Sequence, residues 1–156
     1  MSQTHARGRA FRITAFIILA LLVIQYTLGM IANLDVQLPS GNVSSWVFQH
    51  SIVIQLHIYL GTSLIVAALV ALILSLVARR PIGIAAAVAG LALIIFAWLS
   101  GIQFLASQQD DLSLRMALGF MGAFIAYLIG YYFSGALRGG NIRPKRIAEI
   151  SEISRD

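Results

Sequence analysis

Apolar positions in this chain come in long unbroken runs, and the charged positions fall between them. Charge-free stretches extend from Ile13 to Leu34, Val36 to Ala78, Pro81 to Gln109 and Met116 to Leu137. A helix rises about 1.5 Å per residue and needs about 20 apolar residues to cross roughly 30 Å of hydrocarbon, so each stretch is long enough to span. The second exceeds one helix, but it opens with Gln37, Pro39, Ser40, Gly41 and Asn42, which are loop formers. The pattern predicts an all-α integral membrane four-helix bundle with up-down-up-down topology. Its spans are predicted near Phe11–Leu34, Trp46–Ala78, Pro81–Ala106 and Leu114–Leu137. Residues 1–10 read as a disordered cytoplasmic N-terminus, 11–137 as the four-helix transmembrane domain and 138–156 as a cytoplasmic basic tail. In that tail Ile147, Ile150 and Ile153 recur every three residues, the pattern of a short amphipathic helix.

Composition agrees. Hydrophobic residues make up 59% of the 156, charged residues 11%, and mean hydropathy is +0.86, whereas soluble domains carry about a quarter charged residues. Soluble enzyme folds and nucleic-acid-binding modules are therefore excluded, and the lipid bilayer is the expected partner. The formal charge of +5 is a topology signal. Ten of the eleven basic residues lie at or before the start of the first span, join the second to the third, or follow the fourth, and Arg115 alone lies on the other side. Basic residues resist translocation, so both termini are expected in the cytoplasm, in a multi-pass protein of the cell inner (plasma) membrane. The first span is too long for a signal peptide and lacks Ala-x-Ala cleavage chemistry near Asn33. Asn42-Val43-Ser44 matches a glycosylation acceptor on the outer side, a pattern frequent by chance.

The absence of cysteine excludes disulfides, thiolate metal sites and cysteine-held iron–sulfur clusters. Any cofactor must rely on His, Met, carboxylate or packing. No paired carboxylate, Ser/His/Asp arrangement or phosphate-binding glycine pattern occurs within the spans. Small residues recur on the fourth span at Gly119, Gly122, Ala123, Ala126 and Gly130, and on the third at Ala85, Ala86, Ala89, Gly90 and Ala97. They predict close helix packing. Pro81 suits the first turn of the third span.

The informative positions are polar groups within the spans, since such groups are costly there unless they meet a partner or a cavity. His50 and His57, seven residues apart on the predicted second span, share a face about 10 Å apart along the axis. Gly61 follows His57 by one turn, leaving a shelf where a flat ring could lie with an imidazole nitrogen directed at iron. The alternative for His57 is simple interhelical hydrogen bonding to Gln25 or a backbone carbonyl. For His50 it is solvation at the headgroup level. Arg115 could hold a propionate or a lipid phosphate, yet Asp111 four residues earlier offers a surface ion pair. Met116 and Met121 are candidate weak ligands or plain packing. Gln25, His57, Asn33, Gln103 and Arg115 all fall in the half of the bundle remote from the basic loops, so a site is expected to open outward.

Gln25-Tyr26-Thr27-Leu28-Gly29, the proline-containing loop, and His50 through His57 to Gly61 resemble one four-helix half of the haem A synthase family, over about residues 20–65. That resemblance implies histidine ligation of haem from the second and fourth helices of a bundle. The fourth span departs from it, with no histidine between Met116 and Leu137.

The expectation is thus a respiratory-membrane protein that binds haem (b or a-type) or quinone in the outer half of the bundle, as a homo-oligomer or a subunit of a membrane complex. His57 would be the metal ligand or a donor to a ring carbonyl, with His50, Gln25, Gly61 and Arg115 around the cofactor. The alternative is a non-catalytic accessory subunit or assembly factor whose polar residues only fix helix register.

Overall fold

The computed structural model describes residues 3–39 and 43–136. The predicted tail helix and Asn42 of the glycosylation triplet lie outside the described residues. Within them the chain is helical: α1 (Gln3–Asp35), α2 (Val43–His50), α3 (Ile52–Ala78), α4 (Pro81–Ser107) and α5 (Asp110–Ala136). Every helix except short α2 is long and apolar enough to cross a membrane. α1 packs on α3 and α5, and α4 packs on the same two, closing a four-membered ring.

Three boundaries differ from the sequence expectation. Helix α1 is continuous from Gln3, through the residues read as a disordered N-terminus. Helix α5 starts at Asp110, four residues early, because Asp110 and Asp111 put negative charge on the exposed N–H groups of its first turn. The expected single span Trp46–Ala78 is instead two helices broken at Ser51. The Ser51 backbone is extended (φ −129°, ψ 96°) and its hydroxyl accepts from the Ile54 N–H at 3.4 Å, capping α3. The Gln55 amide donates to the Val47 carbonyl at 3.2 Å and ties the new helix to the end of α2.

The α3–α4 turn follows the sequence. Arg79 takes the left-handed conformation (φ 52°), Arg80 is extended, and Pro81 occupies the first turn of α4. The Arg80 guanidinium donates to the Ser134 carbonyl at 2.8 Å, pinning this turn to the end of α5.

The main core runs through Phe11, Ile18, Leu22, Leu64, Ile94 and Tyr127, with alanines where helices approach. A smaller cluster of Val43, Val47 and Ile54 seats α2 across one end. In each apolar span window only 28% to 33% is buried within the chain, and Phe16, Val66 and Leu114 are each 60% exposed. That outward surface suits lipid. Hydrocarbon surroundings remove most of the hydrophobic force between helices, so close van der Waals fit has to supply it. At Gly119 an added Cβ would stand 2.9 Å from the Ala97 Cβ and 3.0 Å from the Leu93 carbonyl oxygen. Only glycine permits that approach of α5 to α4. Gly90 likewise receives the flat face of the Tyr127 ring. Of the predicted small-residue rows, Ala86, Gly90, Ala97, Gly119, Ala123, Ala126 and Gly130 are buried, while Ala85 and Ala89 face outward.

Candidate functional site

Helices α1 and α3 carry the same spacing: Gln25 stands four residues before Gly29, and His57 four before Gly61. In an α-helix the carbonyl of residue i accepts from the N–H of residue i+4. A glycine at i+4 therefore leaves the side of that carbonyl uncovered. Each helix fills the other's opening. The Gln25 amide Nε2 donates to the His57 carbonyl at 2.8 Å, over Gly61, where a Cβ would stand 3.1 Å from that nitrogen. The His57 imidazole lies over Gly29, where a Cβ would meet its Cε1 at 2.9 Å, and its Nδ1 lies 3.2 Å from the Gln25 carbonyl oxygen.

This reciprocal lock fixes the chemistry of both side chains. A carbonyl oxygen only accepts, so the proton of the neutral imidazole resides on Nδ1, and Nε2 presents its lone pair. No hydrogen bond reaches Nε2 from the described residues. By the same logic the amide must point Nε2 at the His57 carbonyl, which leaves Gln25 Oε1 as an acceptor. Gln25 is 1% exposed, and Oε1 has no partner among the described residues.

Beside the lock is a cavity of about 470 Å³ lined by all four long helices, within the usual size of small-molecule sites. Gln25 and His57 form one wall. Ile94, Phe120 and Met116 make apolar surface elsewhere, the Phe120 ring meeting the imidazole edge-on at 6.3 Å between centroids. Trp98 contributes its indole edge, oriented by a 3.2 Å bond from Nε1 to the Thr62 hydroxyl, which itself donates to the Ile58 carbonyl at 2.9 Å. The cavity lies toward the end of the bundle that carries Asp35, Asp110 and Asp111, remote from Arg79 and Arg80.

Of the residues singled out by sequence, the structure brings Gln25, His57 and Gly61 together. The role of Gly61 differs from the expected shelf for a flat ring: the Gln25 amide and the Trp98 edge occupy that space. His50 is separated from His57 by the break at Ser51, so the two share no helix face. Exposed, it stacks on Trp46 at 5.3 Å between rings, with Nδ1 3.1 Å from the Trp46 carbonyl oxygen. Arg115 pairs with Asp111 at 2.9 Å on the surface of α5, each about half exposed, and does not line the cavity. Met116 lines the cavity, whereas Met121 is exposed on the outside of the bundle. Sequence reasoning missed Gly29, Thr62, Trp98 and Phe120 as parts of the site. The repeated four-residue spacing from a polar residue to a glycine was the available signal for Gly29.

Among the described residues no group of three or more His, Asp or Glu side chains could hold a metal ion on protein ligands alone. Comparison of the chain with family models, curated proteins and solved structures finds no match.

Proposed function

We propose that this multi-pass membrane protein binds a flat redox cofactor, haem or a quinone, in the cavity beside His57. The observation that carries the reading is the free Nε2 of an imidazole whose Nδ1–H is committed to the Gln25 carbonyl. Hydrogen bonds of this kind to one ring nitrogen orient histidines that bind metals or ligands through the other. His57 through Nε2, and Met116 on the same cavity, would hold a haem, which would supply one-electron chemistry at iron. A quinone ring in its reduced, hydroxyl-bearing form is supported by a further feature. Nε2 and the orphaned Gln25 Oε1 are both acceptors, and two ring hydroxyls are donors.

The proposal extends to topology and membrane. Gln25 meets Gly61 while Gly29 meets His57, and Gly90 meets Tyr127 while Gly130 meets Ala86, a register in which neighbouring helices run in opposite directions. With the distribution of arginine, this supports an up-down-up-down bundle with both termini in the cytoplasm; the respiratory, inner (plasma) membrane is the location proposed with the cofactor. The cavity then opens outward. Assembly as a homo-oligomer or within a larger complex would cover part of the apolar outer surface.

Purification from haem-replete, quinone-containing cells tests the function. A Soret band, or near-stoichiometric quinone in an organic extract, should accompany the protein and be lost in His57→Ala. A colourless preparation without quinone overturns the proposal. It would favour a non-catalytic accessory subunit, for which the reciprocal lock between α1 and α3 serves helix register alone.

A further inference from the structure

At the opposite end of the bundle, α1 and α5 flank an open cleft of about 390 Å³, lined by Arg9, Arg12, Ile13, Phe16 and Tyr131. Arg9 and Arg12 are one helical turn apart, so their side chains lie on one face. The Arg12 guanidinium is held 5.1 Å above the centre of the Tyr131 ring, a cation–π placement that fixes its position without neutralising it. Its Nε is buried and has no hydrogen-bond partner among the described residues. Nor does any described carboxylate reach this end, since Asp35, Asp110 and Asp111 all lie at the other. Arg80, the neighbouring inner arginine, already donates to the Ser134 carbonyl. Arg12 is thus an oriented guanidinium in an aromatic cleft, with no anion facing it among the described residues. Directly beside it, Ile13 and Phe16 are 51% and 60% exposed on the lipid side of α1.

We propose that this cleft binds the phosphate headgroup of an anionic phospholipid, with Arg12 and Arg9 on the phosphate oxygens and Ile13 and Phe16 along an acyl chain. Guanidinium matches phosphate geometry through paired N–H donors, and basic pockets between spanning helices on the cytoplasmic side are suited to such headgroups. The apolar pair beside the charges favours lipid over a free phosphate ion, which would engage only the arginines. The site is independent of the cofactor proposal, because it shares no residue with the His57 cavity.

Native mass spectrometry of the detergent-solubilised full chain, titrated with phosphatidylglycerol, phosphatidylcholine or inorganic phosphate, tests it. Phosphatidylglycerol should be retained at least tenfold better than phosphatidylcholine. Arg12→Gln should abolish that preference, and Tyr131→Leu should reduce it at least threefold by releasing the guanidinium. Arg79→Gln removes the same charge from the same end outside the cleft and should leave retention within twofold of the parent. Size-exclusion elution at the parent volume establishes that each variant is folded. Equal retention of the two lipids, or an Arg79→Gln loss as large as that of Arg12→Gln, would overturn the site in favour of diffuse charge attraction. Displacement of phosphatidylglycerol by millimolar inorganic phosphate would overturn the lipid assignment.

Discussion

The α4–α5 seam and the α1–α3 lock both depend on glycine, yet they use the space it leaves in different ways. In the seam, Gly119 and Gly130 admit the alanines and backbone of the facing helix, and the gain is van der Waals contact over a long dry line. In the lock, Gly29 and Gly61 admit an imidazole and an amide, which reach past the helix surface to backbone carbonyls already engaged in helical bonds. The seam uses up its surfaces in packing. The lock holds two polar side chains rigidly while each keeps one acceptor unused, and a cavity lies next to them. A bundle that needed only cohesion could repeat the first device throughout. Inserting the second at one level, beside a cavity, is what supports the site proposed there.

Overfilling the seam should have the largest effect on stability. Gly119→Val places its Cβ against the Leu93 carbonyl and the Ala97 Cβ, so the helices must part, and unfolding in detergent should report a loss of about 3 kcal/mol, the upper range for overpacking. Ligand retention should respond little to Gly130→Ala, which overfills the seam against Ala86 at a level away from the cavity. In the lock the order reverses. Gly29→Ala drives a methyl group to within 2.9 Å of the His57 Cε1, and it should lower retained haem or quinone at least tenfold while costing stability only about 1–2 kcal/mol, as read by ligand extraction beside thermal unfolding. If Gly29→Ala leaves ligand content unchanged, the imidazole need not be held where it is, and the lock is ordinary packing.

A double-mutant cycle of Gln25→Leu and His57→Leu measures the lock itself. Interhelical polar contacts within bilayers couple by about 0.6 kcal/mol on average and up to about 1.7, and the reciprocal arrangement predicts a value toward the upper end. A coupling near zero would mean that the two bonds act separately. At the seam, Tyr127 has a buried hydroxyl without a partner among the described residues. Removing it in Tyr127→Phe discards an unpaired polar atom and should be neutral or stabilising by about 1 kcal/mol. The smallest effect belongs to Arg115→Gln, whose exposed pair with Asp111 contributes at most about 0.5 kcal/mol and should fade as salt is added.

The two regions also differ in how far sequence exposes them. The seam is readable because small residues recur every three or four positions, matching the helical period, and nothing about their role depends on a particular partner atom. The four spans are readable for a similar reason, since length and apolarity act over about 20 residues at once. Finer features depend on single residues. Ser51 interrupts a stretch whose apolarity continues on both sides, and only its capping geometry divides α2 from α3. With that break the shared face of His50 and His57 disappears, although the spacing of seven promised it. Pairing Gln25 with His57 was within reach by depth along the spans. What remained hidden was direction: each side chain seeks the other's backbone, so Gly61 accommodates glutamine and Gly29 accommodates histidine. Asp111 to Arg115 shows the opposite case, a spacing of four that sufficed to place both residues.

Nitrogen-15 solid-state NMR of histidine-labelled protein in bilayers addresses the central claim directly, with the His57→Ala spectrum subtracted to isolate one ring. The reciprocal lock requires a neutral imidazole protonated on Nδ1, with an unprotonated Nε2 whose resonance moves when the ligand is extracted while Nδ1 stays in place. A proton found on Nε2, or a spectrum indifferent to extraction of a ligand that copurifies with the protein, would contradict it.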